Sequence, residues 1–281
     1  MSNFPHDDFS KAYLVELLST IGTATPNYPF KAETREADLW FQPNPECEEG
    51  RSQLGLLGRL LPKPSLIEVF RNPANPVEIR SCKGKLFSRE AELIRKAKQK
   101  DETLTEPDFP LLLLLMPTAS DDIRDGFGAI QTSTPGVYNL PKWDRTTIVV
   151  LHQLSKTEDT LWLRLLGRAG NQRRAIEEFT EMPMEVPLNA NISELLADYR
   201  AMLESRKSPI TQDEEELIMN LSAAYLQKRE EWKEQGEKEG RKQEREDMAS
   251  NLLREGIDIE IITKVTGLTI EQVTKLRQEL G

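Results

Sequence analysis

Residues 111–116 read LLLLLM between Pro110 and Pro117, and residues 147–151 read TIVVL. A strand with one wet face alternates apolar and polar residues; these runs have no such alternation, so both faces must be covered. At five or six residues they are far short of the ~20 needed to span a membrane. They predict strands of a parallel or mixed sheet with helices packed over it. Working outward, residues 65–70 (SLIEVF) read as another strand, with Ile67 and Val69 on one face and Glu68 and Phe70 on the other. In residues 37–41 (ADLWF), Ala37, Leu39 and Phe41 alternate with Asp38 and Trp40, which predicts a fourth.

Helical spacing connects these runs. Phe9, Ala12, Tyr13, Leu17 and Leu18 follow the capping residues Asp7 and Asp8, predicting a first helix that carries Glu16. Asn75 is a good N-cap and Pro76 suits the first helical position, so a helix is expected from there to about Lys100. Its apolar stripe is Ile79, Cys82, Leu86, Leu93 and Ala97. A short helix or turn is expected at 54–61, with loops at 43–50 and 121–142. Later helices are expected from Glu158 to about Glu178, at 192–204 and at 213–225. The order helix, strand, strand, helix, strand, strand, then helices indicates an α/β chain with a mixed sheet flanked by helices.

Composition narrows the function classes. Two cysteines without a CxxC and only two histidines exclude a cysteine zinc site or a multi-histidine centre. Neither GxxxxGK[ST] nor GxSxG occurs. The first ten residues show no basic, then apolar, secretory pattern, and a cytoplasmic location without membrane attachment is expected. The net charge of −10 conceals an asymmetry: residues 51–100 hold twelve Lys/Arg against four Asp/Glu, net +8. A basic block in an acidic chain is a candidate DNA-facing surface. Arg71, Arg80, Lys83, Lys85 and Arg89 are its candidate contacts. Asp38 and Glu68, on consecutive strands between the Glu16 helix and the basic helix, suggest a hard-cation site. Mg²⁺ takes one or two carboxylates plus water and phosphate oxygens, with no need of histidine or cysteine.

The chain end changes character. Residues 228–247 are dominated by charge, with Gly236 and Gly240 four apart, and predict a solvated, interrupted helix. Asp258 and the Thr269-x-x-Gln272 capping box then predict two short helices, the second with Ile270, Val273, Leu276 and Leu280 inward. This helix-turn-helix pattern has net charge −1 over residues 251–281, which favours protein docking or homo-oligomerisation through 228–281 over DNA reading. The expected division is a core at 1–155, a helical region packed on it at 156–227, a charged helical linker at 228–248 and a helix-turn-helix-like tail at 249–281.

The arrangement helix–EADLWF–loop–LIEVFR–helix resembles the PD-(D/E)XK nuclease superfamily. With FRNP…EIRSC, LWLRLLGR and LLREGIDIEIITKVTGLTIEQV, it resembles more closely the recombination-promoting nuclease and transposase-like branch, cyanobacterial type, over nearly the whole chain. The resemblance implies a restriction-endonuclease-like fold and a Mg²⁺- or Mn²⁺-dependent DNA endonuclease acting in DNA recombination. It implies Asp38 as the first metal-binding aspartate, Glu68 as the acid of (D/E)xK, and Glu16 as the helix acid of some members. Phe70 stands where the family has Lys or Gln, so Lys83 or Lys85 would reach in from the next helix as a displaced catalytic lysine. The alternative is a non-catalytic DNA-binding or protein-interaction module on the same fold.

Overall fold

The computed structural model describes residues 5–29, 36–183, 186–205 and 212–280. The chain forms two compact units, residues 1–224 and 225–281. In the first, helix α1 (Pro5–Ser19) precedes strands β1 (Gly22–Pro29) and β2 (Glu36–Pro43). Short helices α2 (Glu48–Gln53) and α3 (Gly55–Leu60) lead to β3 (Ser65–Val69), then the long α4 (Pro76–Lys100) and β4 (Leu111–Met116). Helix α5 (Asp121–Gly126), strands β5 (Ile130–Gln131) and β6 (Val137–Asn139), and β7 (Thr146–Val150) follow. Helices α6 (Leu161–Arg164), α7 (Ala169–Thr180), α8 (Pro187–Ser205) and α9 (Gln212–Arg254) come next, with α10 (Ile259–Thr266) and α11 (Ile270–Leu280) in the second unit.

The strands form one mixed sheet in the order β1-β2-β3-β4-β7-β6-β5. The central three, β3, β4 and β7, are parallel, and both flanks are antiparallel. Burial on both faces explains LLLLLM. Leu113 and Leu115 join Leu39, Phe41, Ile67 and Val149 in a core built with α1, α3, α6, α7, α8 and the start of α9. Leu112, Leu114 and Met116 point to the other side, where Ile79, Cys82 and Leu86 of α4 cover Trp40, Leu66 and Ile148.

Helix α4 starts as its sequence requires. The Asn75 side chain accepts from the Val77 and Glu78 N–H groups, Glu78 bonds back to the Asn75 N–H, and Pro76 occupies the first helical position. The fold departs from the sequence reading in four places. Strand β1 is an edge strand whose Pro26 and Pro29 weakened the strand signal, although an edge tolerates proline. The loops expected at 43–50 and 121–142 contain the start of α2 and the α5–β5–β6 segment. On α4, Leu93 is only half-buried and Glu90 is buried instead, paired with Arg145. The charged stretch 228–247 is continuous helix within α9, since a glycine costs a helix only about 1 kcal/mol relative to alanine.

In the second unit, Ala249, Ile262, Leu268 and Val273 form a small core of their own, with Leu276 packed against it. Asp258 caps α10, and Thr269 and Gln272 make the capping box of α11. Ile270, expected inward, is 61% exposed, and the Leu280 side chain lies outside the described residues. Because the described residues of the sheet's two cores end at Leu221, a chain ending at Ala224 should keep a single cooperative melt. The expected change in stability is about 1 kcal/mol or less, checked by urea unfolding; loss of cooperativity would refute this.

Candidate functional site

The β2–β3 ladder pairs Phe41 with Ser65, Trp40 with Leu66 and Leu39 with Ile67, so one further step sets Asp38 opposite Glu68. At that step the side chain replaces the ladder: Asp38 Oδ2 accepts the Val69 N–H at 3.0 Å. The Glu68 carboxylate, with the residue only 4% exposed, faces the α4 layer with Leu66. Lys85 of α4 donates to Glu68 Oε1 at 2.8 Å and to Oε2 at 2.9 Å.

A second ammonium approaches from α1. Lys11 donates to Asp7 Oδ2 at 2.8 Å and to Asn27 Oδ1 at 2.9 Å, and its Nζ lies 3.7 Å from Asp38 Oδ1. Asn27 is opposite Asp38 in the β1–β2 register, at a φ of 47°, a left-handed conformation that asparagine tolerates better than most residues. Asp7, Lys11 and Asn27 are site residues the sequence reading missed. The available signal was the Asp7/Lys11 spacing of four, which puts an acid and a base on one helix face.

Burial governs the electrostatics. It raises the Glu68 carboxyl to about 7, with the Asp38 charge adding to the effect and Lys85 opposing it. Burial also raises Asp38, against the Val69 N–H, which favours the charged form. The neighbouring Cys82 thiol is pushed up by burial and then by Glu68, so it is not a nucleophile at neutral pH. An open cleft lined by His6, Asp7, Val69, Arg71 and Asn72 lies alongside. Burial, then Arg71 and Arg168, lowers His6 to about 4, leaving it neutral.

The other expected site residues disperse. Glu16 accepts from Asn191 of α8 and is not part of this cluster. Lys83 pairs with Asp144 and lies over the Phe127 ring, on the flank of α4 away from Glu68. Phe70 is half-buried against the α4-side core, as its position two residues after Glu68 requires. Arg71 pairs with Glu214, Arg89 pairs with Glu92 and stacks on Trp40 and Tyr28, and Arg80 is exposed. Of this block, Arg71 and Lys83 are paired with acids outside it, while Lys85 and Arg89 pair with Glu68 and Glu92 inside it.

Among the described residues, no group of three or more His, Cys, Asp or Glu side chains is arranged to hold a metal ion. Two all-oxygen carboxylates do meet the smaller requirement of Mg²⁺, which completes its shell with water and phosphate oxygens. Burial is the main cause of their raised pKa values; repulsion from Asp7 on Asp38 and from Asp38 on Glu68 adds to it, and a cation would relieve that part. Among the described residues, no helix is long and apolar enough to cross a membrane. No family profile matches the chain, and no curated protein or solved structure matches it.

Glu68 gives a signed pH prediction. Its folded pKa of about 7 exceeds its ordinary 4.5, so its contribution to stability is full below pH 4.5 and is lost as pH rises to about 7. The lost amount is about 3 kcal/mol at most. His6 works oppositely, its contribution being lost as pH falls from 6.5 toward 4, so the two overlap. The wild type compared with Glu68→Gln isolates the acid: the variant should gain relative stability between pH 5 and 8 in thermal or urea melts. A pH-independent difference would contradict the assignment.

Proposed function

We propose that the chain is a metal-dependent DNA endonuclease of the PD-(D/E)XK type, related to the recombination-promoting nuclease and transposase-like branch, with a restriction-endonuclease-like core. The observation that carries this reading is the meeting of Asp38, Glu68 and Lys85 at one end of the antiparallel β2–β3 pair. The sequence resemblance assigned the acids to these positions, and a lysine from α4 now lies beside Glu68 where Phe70 supplies no charge.

The geometry supports the following roles. Asp38 and Glu68 would hold Mg²⁺ or Mn²⁺, and Asp38 is fixed in orientation by the Val69 N–H. When bound, such a cation activates water and neutralises charge on phosphoryl oxygens. Lys85 donates two of its three N–H groups to Glu68, which leaves one, together with the positive charge, to stabilise negative charge developing on a phosphodiester. Glu68, titrating near neutrality, suits either cation binding or proton acceptance. Lys11 limits repulsion between Asp7 and Asp38. A second reading, a silent DNA-binding or protein-interaction module, is favoured by one observation: the Lys85 ammonium already satisfies both Glu68 oxygens.

Plasmid nicking with Mg²⁺ or Mn²⁺ decides between them. The endonuclease reading expects metal-dependent nicking, lost by at least about 100-fold in Asp38→Ala and Glu68→Gln, since electrostatic and metal groups typically supply that much. Lys85→Ala should reduce nicking about as severely, while Lys83→Ala should leave it near wild type. Absence of nicking by the folded wild-type protein, or equal effects of the two lysine variants, would overturn the assignment.

A further inference from the structure

A second cleft in the same unit is lined by His152, Lys156, Arg168, Gly170, Asn171, Arg173 and Arg174. Four of these seven residues are formal cations and none is acidic. Lys156 and Arg174 are exposed and form no ion pair with a described residue, whereas Arg173 is held loosely by Glu177 at 3.8 Å and Glu216 at 3.6 Å. Like charges gathered in a cleft repel one another and gain when an anion enters. The one aromatic ring among these residues is the His152 imidazole, and no apolar side chain lines the cleft, so the four cations make it better suited to phosphates than to a hydrophobic ligand.

Its position relates it to the carboxylates. Because β3, β4 and β7 are parallel, their carboxyl ends share one edge of the sheet. Glu68 and Val69 end β3 there, and His152 lies two residues after the end of β7. The cleft beside Asp7 and Val69 shares His6 and Arg71 with a small adjoining pocket, and that pocket shares Arg168 with the basic cleft. Arg168 also donates to the Arg71 carbonyl at 3.2 Å and to Asn72 Oδ1 at 3.0 Å, tying the two sites together.

We infer that the cleft of Lys156, Arg168, Arg173 and Arg174 binds backbone phosphates of the DNA strand that reaches the Asp38–Glu68–Lys85 site. This deepens the endonuclease reading and rests on it for the identity of the polyanion. It assigns sequence-independent DNA affinity chiefly to residues 152–174, and not to the 51–100 block. The exposed cations near the end of α4, Arg95, Lys98 and Lys100, then serve as controls.

The test is anisotropy of a labelled DNA duplex titrated with the full-length protein in EDTA, across a salt series, so that binding is read without cleavage. Lys156→Ala/Arg174→Ala should weaken binding at least about tenfold and lower the slope of log affinity against log salt by about 2, one phosphate per residue. Arg95→Ala/Lys98→Ala/Lys100→Ala should change neither value appreciably, and melting checks that both variants fold. An unchanged slope and affinity in the Lys156/Arg174 variant, or no binding by the wild type, overturns the inference. Nicking measured in parallel separates the two claims. Wild-type nicking with unaltered variant binding removes the cleft and keeps the enzyme, whereas weakened variant binding without wild-type nicking keeps the cleft and removes the enzyme.

Discussion

Two carboxylates facing each other across an antiparallel pair set the terms for everything around them. Asp38 and Glu68 occupy opposed positions flanked by the buried apolar residues Ala37, Leu39 and Ile67, a placement that costs stability unless each charge is answered. The answers come from three directions. The Val69 backbone donates to Asp38, Lys85 of α4 clamps Glu68, and Lys11 of α1 stands off Asp38. Each neighbour is fixed by the fold: α4 by its Asn75–Glu78 capping box and Ile79–Cys82–Leu86 contact, α1 by Tyr13, Leu14, Leu17 and Leu18 in the opposite core. Helices on both faces of the sheet therefore converge on one end of β2 and β3.

The compensation is incomplete, and that is chemically informative. Despite bidentate contact with Lys85, burial still lifts the Glu68 carboxyl to about 7. Strained titratable pairs beside an open cleft are typical of functional sites, although structural ion networks produce them too. Arg164 shows the structural kind: it is fully buried, paired with Glu178 and bonded to the Thr157 carbonyl and the Thr160 hydroxyl, with no lining role in the clefts described above. The Asp38–Glu68 pair differs in having the His6–Asp7–Arg71 cleft alongside.

The parts legible in the sequence were those with a dominant physical signal. Unbroken apolar runs marked β4 and β7, and Asn75-Pro76 marked the start of α4. The opposition of Asp38 and Glu68 followed from their place on consecutive strands. The weak elements were short, polar or at an edge: β1 carries two prolines, β5 has two residues and β6 three. Choosing Lys85 over Lys83 was beyond the sequence. Two residues apart, they point about 200° apart around the helix, so they flank the apolar stripe on opposite sides. Which flank faces Glu68 depends on how α4 lies across the sheet. The same limit applied to the basic block, since its partners Asp144 and Glu214 are far away in sequence.

Taking the site lysine from a helix instead of a strand changes which mutations the protein can absorb. On a strand, the lysine would be locked two positions from its acid by the pleat itself. Here seventeen positions separate Glu68 from Lys85, spanning a turn, a cap and more than two helical turns. A one-residue insertion or deletion between Phe70 and Asn75 can be accommodated by the turn without rotating α4. The same change between Pro76 and Lys85 would swing the ammonium about 100° around the helix axis and break the cluster. Length variation across relatives should therefore be permitted in the first interval and purged from the second, while position 70 is free to become an ordinary packing residue.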